Sequence, residues 1–286
     1  MKSIYHSELC KQKILDLYDK QMKEIGIPYT DLYVETSFGK THVIETGNKE
    51  GIPLLLLHGG NSTTAYNLKS CDFLWKDFHI YAVDTIGHPG KSDEVSLSPN
   101  NYDYGKWLSQ VITNLGFEKI RCFGGSFGAG VLVKTMCVAP KKLEKIALLI
   151  PGGIKNAPAI KSMNMLFPMI MYWMTGKRKW FIRCILPMAI KEENITEDIL
   201  ITAKCSIDNA KIKKGMPSNV STKLLSKCNA PTYILAAELD CMFPGKGVLK
   251  RAEKVLPNCT TYLLKDRGHI HYLSEKEKES IVTFLS

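Results

Sequence analysis

The chain has 286 residues, is 45% hydrophobic and 23% charged, and carries a formal net charge of +10. That length provides a substantial core, as one large domain or one domain with an insertion. It contains no apolar run long enough to span a membrane, and Met1–Glu8 lacks the apolar core of a signal peptide. The nine cysteines are odd in number and scattered without a C-x-x-C pair, which points to reduced thiols in the cytoplasm rather than disulfides or a metal site. No helix-turn-helix, zinc-finger or RNA-binding pattern accompanies the positive charge, so nucleic acid is not an expected partner.

Taken in order, Glu8–Glu24 places Leu9, Ile14, Leu15, Leu17, Tyr18 and Met22 at helical spacing, an amphipathic leading helix. Asp31–Thr36 and Lys40–Thr46 alternate as strands around Ser37-Phe38-Gly39, a hairpin. Ile52–Leu57 and Phe78–Val83 are short apolar runs of the kind that parallel sheets bury on both faces; they end at His58-Gly59-Gly60 and at Asp84. Tyr102–Leu115 reads as a helix stopped by Gly116. A strand at 119–123, the turn Gly124-Gly125-Ser126-Phe127-Gly128, a helix at 129–138 and a strand at Lys145–Ile150 follow.

The strand–helix alternation then stops. Residues 154–229 hold no convincing strand, and they carry thirteen Lys and Arg against five Asp and Glu. They include the Met-rich stretch Met163–Met174, in which Pro168 argues for two short helices rather than one. The alternation resumes with a strand at Pro231–Ala237, a helix at Lys246–Val255, a strand at Thr260–Leu264 and a helix at Ser274–Leu285. The pattern predicts a mostly parallel sheet with helices on both faces, ligands collecting at the carboxyl ends of its strands. The boundaries are a core at 1–153 and 230–286 with a helical cap at 154–229.

The chemistry begins at Ser126. G-x-S-x-G between a strand and a helix reads as a nucleophile elbow, whose strained turn lifts the hydroxyl clear near a helix N-terminus. A serine hydroxyl needs a base, an acid to orient that base, and N–H donors for the oxyanion. His269, after Gly268 and just past the last strand, is favoured as the base over His271. Asp240, after the Pro231–Ala237 strand, is the acid, with Glu238 a close rival and Asp266 a weaker one. The backbone N–H groups of Gly60 and Phe127 are the expected oxyanion donors. His58 is expected to brace its loop by hydrogen bonding, and His88 to be structural or pocket-lining.

With Leu57-His58-Gly59-Gly60, Val83-Asp84, Gly87 to Ser92, Gly124–Gly128, Glu238-Leu239-Asp240 and Gly268-His269 in place, the chain resembles the α/β-hydrolase superfamily along nearly its whole length. The order Ser126, Asp240, His269 is that of its catalytic triad. Within it, Phe38–Val43 and Tyr81–Gly87 resemble the capped bacterial carboxylesterase-type branch. The resemblance implies an eight-stranded, mostly parallel sheet, a helical cap, and the triad Ser126, Asp240 and His269 in the roles above. It implies hydrolysis of small or medium carboxylic esters through an acyl-enzyme intermediate, with no cofactor and no metal. A proline iminopeptidase-like enzyme, an amidase, a C–C-bond hydrolase and a hydrolase-fold receptor with incidental turnover are the alternatives. Asn61, Met163, Phe167, Met171, Met242 and Ile270 are candidate pocket residues. The Met-rich stretch is either a flexible acyl-pocket wall or merely the seat of the cap. The expected partner is a small-molecule ester. Stable membrane insertion is not expected, and the protein is expected to be a monomer or homodimer.

Overall fold

A computed structural model describes residues 3–211 and 215–286. Eight strands form a single sheet: β1 (Tyr29–Thr36), β2 (Gly39–Gly47), β3 (Ile52–Leu57), β4 (Phe78–Val83), β5 (Ile120–Gly125), β6 (Leu143–Leu149), β7 (Thr232–Ala237) and β8 (Cys259–Leu264). Their order is β1-β2-β4-β3-β5-β6-β7-β8. The β1–β2 and β2–β4 pairs are antiparallel, and every pair from β4 to β8 is parallel.

The strand pleat sorts apolar residues onto two faces. Leu55 and Leu57 join one buried cluster with Cys122, Ile146, Leu148, Ile234 and Ala236. Leu54 and Leu56 join the other with Phe123, Ala147, Tyr233, Leu235 and Ala237. On the first face lie α3 (Asp103–Asn114), α4 (Ser126–Val138) and α9 (Gly245–Val255). On the second lie α1 (Glu8–Ile25), α2 (Thr64–Ser70) and α10 (Glu275–Leu285). Because α4 is buried from Ser126 to Cys137, its sequence needs no polar face.

Most predicted elements appear within a few residues of their expected limits. The helix expected at 129–138 begins at Ser126 instead, because the elbow serine opens the helix. One helix, α2, was not anticipated. It is capped by the Thr63 hydroxyl, which accepts the Tyr66 N–H.

Between β6 and β7 the described residues hold α5 (Leu166–Thr175), α6 (Arg178–Ala189), α7 (Glu197–Asn209) and α8 (Thr222–Leu225), with short 3₁₀ turns and no strand beyond a single Tyr5–Ala210 bridge. A 3₁₀ turn over Ala159–Met165 precedes α5. Pro168 sits in the first turn of α5, where its missing N–H has no helical partner to lose. These helices build a small core of their own from Tyr172, Phe181, Ile185, Ala189, Ile195, Leu200 and Ile207. No helix among the described residues is long and apolar enough to cross a membrane.

Candidate active site

The site is built where β5 turns into α4. Ser126 adopts φ +50°, in the left-handed region that a side-chain-bearing residue enters only under constraint. The constraint is close packing on both sides. A Cβ on Gly124 would stand 2.9 Å from the Ala129 nitrogen, and one on Gly128 would stand 2.6 Å from the His58 carbonyl oxygen. Glycine at these two positions lets the elbow nest between strand and helix. Gly125 meets nothing within 4 Å, so its lack of a side chain is not a packing requirement.

The Ser126 hydroxyl lies 2.9 Å from His269 Nε2, and His269 Nδ1 lies 2.9 Å from Asp240 Oδ2. Three residues drawn from the ends of β5, β7 and β8 thus form one hydrogen-bonded line. The Nδ1–H donates to the carboxylate, which leaves Nε2 free to accept the serine proton. Ser126 and His269 each keep 9% of their surface exposed, so the line is nearly buried yet reachable. Asp240 is more deeply buried, at 4%.

Asp240 stays ionised for a readable reason. Burial raises its pKa, but His269 and the N–H groups of Phe243 and Met242 bring it below the usual carboxylate range. Its Oδ1 accepts the Met242 N–H at 2.7 Å and the Phe243 N–H at 3.0 Å. The Phe243 ring meets the His269 ring edge-on at 5.4 Å. Glu238, the rival acid, pairs instead with Lys246 at 2.7 Å and accepts the Asp266 N–H. His271 does not approach the serine. Its Nδ1–H donates to the His269 carbonyl at 2.9 Å, and burial pushes its pKa down to about 4, keeping it neutral.

Gly59 and Gly60 lie against the elbow. A Cβ on Gly59 would meet the Ser126 Cβ at 3.7 Å, and one on Gly60 would meet the Phe127 Cβ at 3.5 Å. His58 braces this loop: its Nδ1–H donates to the Gly59 carbonyl, and its Nε2 accepts the Thr85 N–H. Burial lowers its pKa, so it is held as a neutral strut. The His88 ring packs at a tilt of 53° against the Phe127 ring, with centroids 4.4 Å apart.

The pocket candidates separate. Met242 and Ile270 are half-buried, flanking Asp240 and His269 in sequence, and Met171 is half-buried in α5. Asn61 is exposed at φ +52°. Met163 and Phe167 face outward, 61% and 62% exposed, so as placed neither lines an enclosed wall. The cause is that α5 turns its other side, through Met169 and Tyr172, to the insertion's own core.

Two features escaped the sequence reading. The Met188 carbonyl, in the last turn of α6, accepts the Ile270 N–H at 2.9 Å, and a Cβ on Gly268 would strike the same carbonyl oxygen at 2.3 Å. The histidine loop is therefore pinned to the insertion, across a gap only glycine fits. The second feature is the turn in which the Asp240 carboxylate accepts the N–H two residues on. It follows a rule any Asp after a strand invites.

Comparison with known proteins places these observations. A family model described as alpha/beta hydrolase fold matches residues 52–181. The carboxylesterase YbfK of Bacillus subtilis (strain 168) is 25% identical over 276 residues, covering 94% of this chain and 92% of its own. An uncharacterized carboxylesterase, nap, of the same organism is 26% identical over 263 residues, 88% of this chain and 85% of its own. The crystal structure of carboxylesterase CesB (YbfK) from Bacillus subtilis superposes with a TM-score of 0.80 at 23% identity, covering 96% of this chain and 98% of that one. The chain has the α/β-hydrolase fold, and the resemblance to α/β hydrolases with carboxylesterase relatives holds in sequence and structure alike.

Proposed function

We propose that this chain of α/β-hydrolase fold is a serine esterase that cleaves carboxylic esters of small or medium acyl compounds, with Ser126 as nucleophile, His269 as general base and acid, and Asp240 as its orienting carboxylate. The observation that carries the reading is the unbroken hydrogen-bonded line from Ser126 Oγ through His269 to Asp240. The carboxylesterase relatives support the choice of ester over other acyl compounds.

Ser126 Oγ attacks the ester carbonyl carbon as its proton passes to His269 Nε2. The carbonyl oxygen takes the electron pair and is held by the N–H groups of Gly60 and Phe127. The tetrahedral intermediate collapses with cleavage of the ester C–O bond, and His269 gives its proton to the departing alkoxide. Water then attacks the acyl-serine by the same route, releasing the acid and restoring the hydroxyl. The reaction draws only on groups of the chain itself. Residues 154–229 act as a cap beside the site, with Asn61, Met242 and Ile270 at its mouth. All nine cysteines are free, which suits a reducing cytoplasm.

The test is turnover of p-nitrophenyl butyrate. Ser126→Ala lowers kcat by about 10⁴-fold or more, since the members of such a relay act as a unit. Undiminished turnover in that variant refutes the assignment.

A further inference from the structure

The helix α5 is apolar on every side, yet it is not enclosed. Leu166, Phe167, Ile170, Trp173 and Met174 are 41–74% exposed, and at 100° per residue they share one stripe about 120° wide. Ile160 and Met163, in the turn before it, are 72% and 61% exposed. A helix that is hydrophobic all round is ordinarily buried, so this outer stripe is fitted to a surface that the described residues do not provide.

The charge around the stripe says what that surface is. No Asp or Glu occurs between Glu144 and Glu192, whereas six Lys and Arg occur from Lys155 to Arg183. The cations adjoin the stripe physically. Phe167 meets the Trp180 ring edge-on at 5.8 Å, and that ring is covered by Arg183 at 4.9 Å and by Lys179 at 5.7 Å. Lys177 is exposed immediately after the helix, and so is Arg178, which pairs with Glu197 at 2.6 Å. A protruding apolar ridge carrying a tryptophan and rimmed by cations has the chemistry of an element lying in the interface of an anionic lipid layer. A second copy of the chain fits less well, because it would set one cationic rim against another.

We propose that the outer stripe of α5, with Lys177, Lys179 and Arg183 at its rim, docks this protein peripherally on an anionic bilayer surface. The docking goes beyond the proposed esterase chemistry and does not depend on it. The apolar side chains enter the headgroup boundary while the cations meet lipid phosphates, without any span of the bilayer. Because the Met188 carbonyl of α6 holds the Ile270 N–H, the docked helices and the His269 loop belong to one connected unit.

The experiment is co-sedimentation of full-length Ser126→Ala protein with vesicles of phosphatidylcholine alone or with 30% phosphatidylglycerol, so that no lipid is consumed. Size-exclusion chromatography with light scattering is run beside it. The proposal expects binding to the anionic vesicles to be about tenfold or more tighter than to the zwitterionic ones, and to fall at high salt. Trp173→Ser/Met174→Ser and Lys177→Glu/Lys179→Glu each weaken that binding by about tenfold or more, with the melting temperature unchanged. In the wild-type background the first of these double variants keeps its turnover of p-nitrophenyl butyrate, so a failed esterase reading is told apart from failed docking. Absence of vesicle binding, or binding indifferent to both double variants, overturns the proposal. A wild-type dimer that Trp173→Ser/Met174→Ser makes monomeric also overturns it, in favour of a self-association face.

Discussion

Leu54–Leu57 of β3 and Leu166–Met174 of α5 are comparably apolar, but they meet opposite fates. The β3 leucines are 0–1% exposed, divided by the pleat between two buried clusters. In α5, Leu166 is 55% exposed and Met174 is 74% exposed. A central strand has neighbours on both edges and helices on both faces, so every one of its side chains is covered. A helix of the insertion has α6 and a small core on one side only. Position in the architecture, rather than apolarity, decides whether a hydrophobic run stabilises the fold or remains available for contact. The candidate site joins the two regions: Ser126 belongs to the core, and the His269 loop touches the insertion.

The comparison can be broken most forcefully at the core end. Asp240→Asn, which keeps the side-chain shape, lowers kcat on p-nitrophenyl butyrate by about 10⁴-fold because the imidazole loses its orienting anion; circular dichroism is expected to show the fold intact. A smaller loss under Glu238→Gln is part of the same expectation, since that carboxylate serves Lys246. If Glu238→Gln is the damaging change, the acid has been misassigned.

The contact between the two regions comes next. Gly268→Ala forces a Cβ toward the Met188 carbonyl. Displacing the histidine loop by about 1 Å lowers kcat by about 10²-fold, with a smaller change in KM. Unchanged kinetics in that variant mean that the insertion does not position His269.

Stability sharpens the contrast further. His42 is buried with Nδ1 2.8 Å from Asp84 and Nε2 2.7 Å from Asp31, and the Tyr18 hydroxyl also donates to Asp84. Both ring nitrogens face carboxylates, so the charged imidazole is favoured. Burial lowers the His42 pKa, but Asp84 and Asp31 raise it overall. Burial raises the Asp84 pKa, and the His42 bond more than reverses that. His42→Ala leaves a buried carboxylate without its cation and costs about 3 kcal/mol in urea unfolding. The raised His42 pKa adds stability that is complete below the ordinary histidine value and fades as pH rises through the shifted one. The lowered Asp84 pKa adds stability that is complete above the ordinary carboxylate value and fades as pH falls through the shifted one. The gap between wild type and variant is therefore widest between about pH 4 and about pH 6.5; a gap independent of pH contradicts the ion pair. Matched truncations complete the contrast and include its smallest effect. Leu55→Ala costs about 3 kcal/mol, whereas Leu166→Ala stays within about 0.5 kcal/mol. Equal costs erase the distinction between the two regions.

The first two strands were legible from alternation around a turn and the central parallel ones as short apolar runs closed by turn residues; Ile52–Leu57 and Phe78–Val83 appear with the limits read from sequence. The elbow was legible because its steric demand leaves a glycine signature at 124 and 128. The meeting of Ser126, Asp240 and His269 could be anticipated because each follows a parallel strand, and parallel strands deliver their ends to one edge. Other features carried no such mark. Nothing in the order of residues says that Glu238 turns to Lys246, or that Gly268 is needed for the Met188 carbonyl. Composition left the Met-rich stretch open between a pocket wall and the seat of the cap; the three-dimensional arrangement leaves Met163 and Phe167 largely exposed, Phe167 against the Trp180 ring.

The central claim is that Ser126 is an alcohol activated by His269. Incubation of wild type, Ser126→Ala and His269→Ala with a fluorophosphonate, followed by peptide mass mapping, tests it directly. The account predicts rapid phosphonylation of wild type at Ser126, none in Ser126→Ala, and labelling slowed by orders of magnitude in His269→Ala. An adduct at another residue, or one formed at Ser126 equally fast without the imidazole, contradicts it.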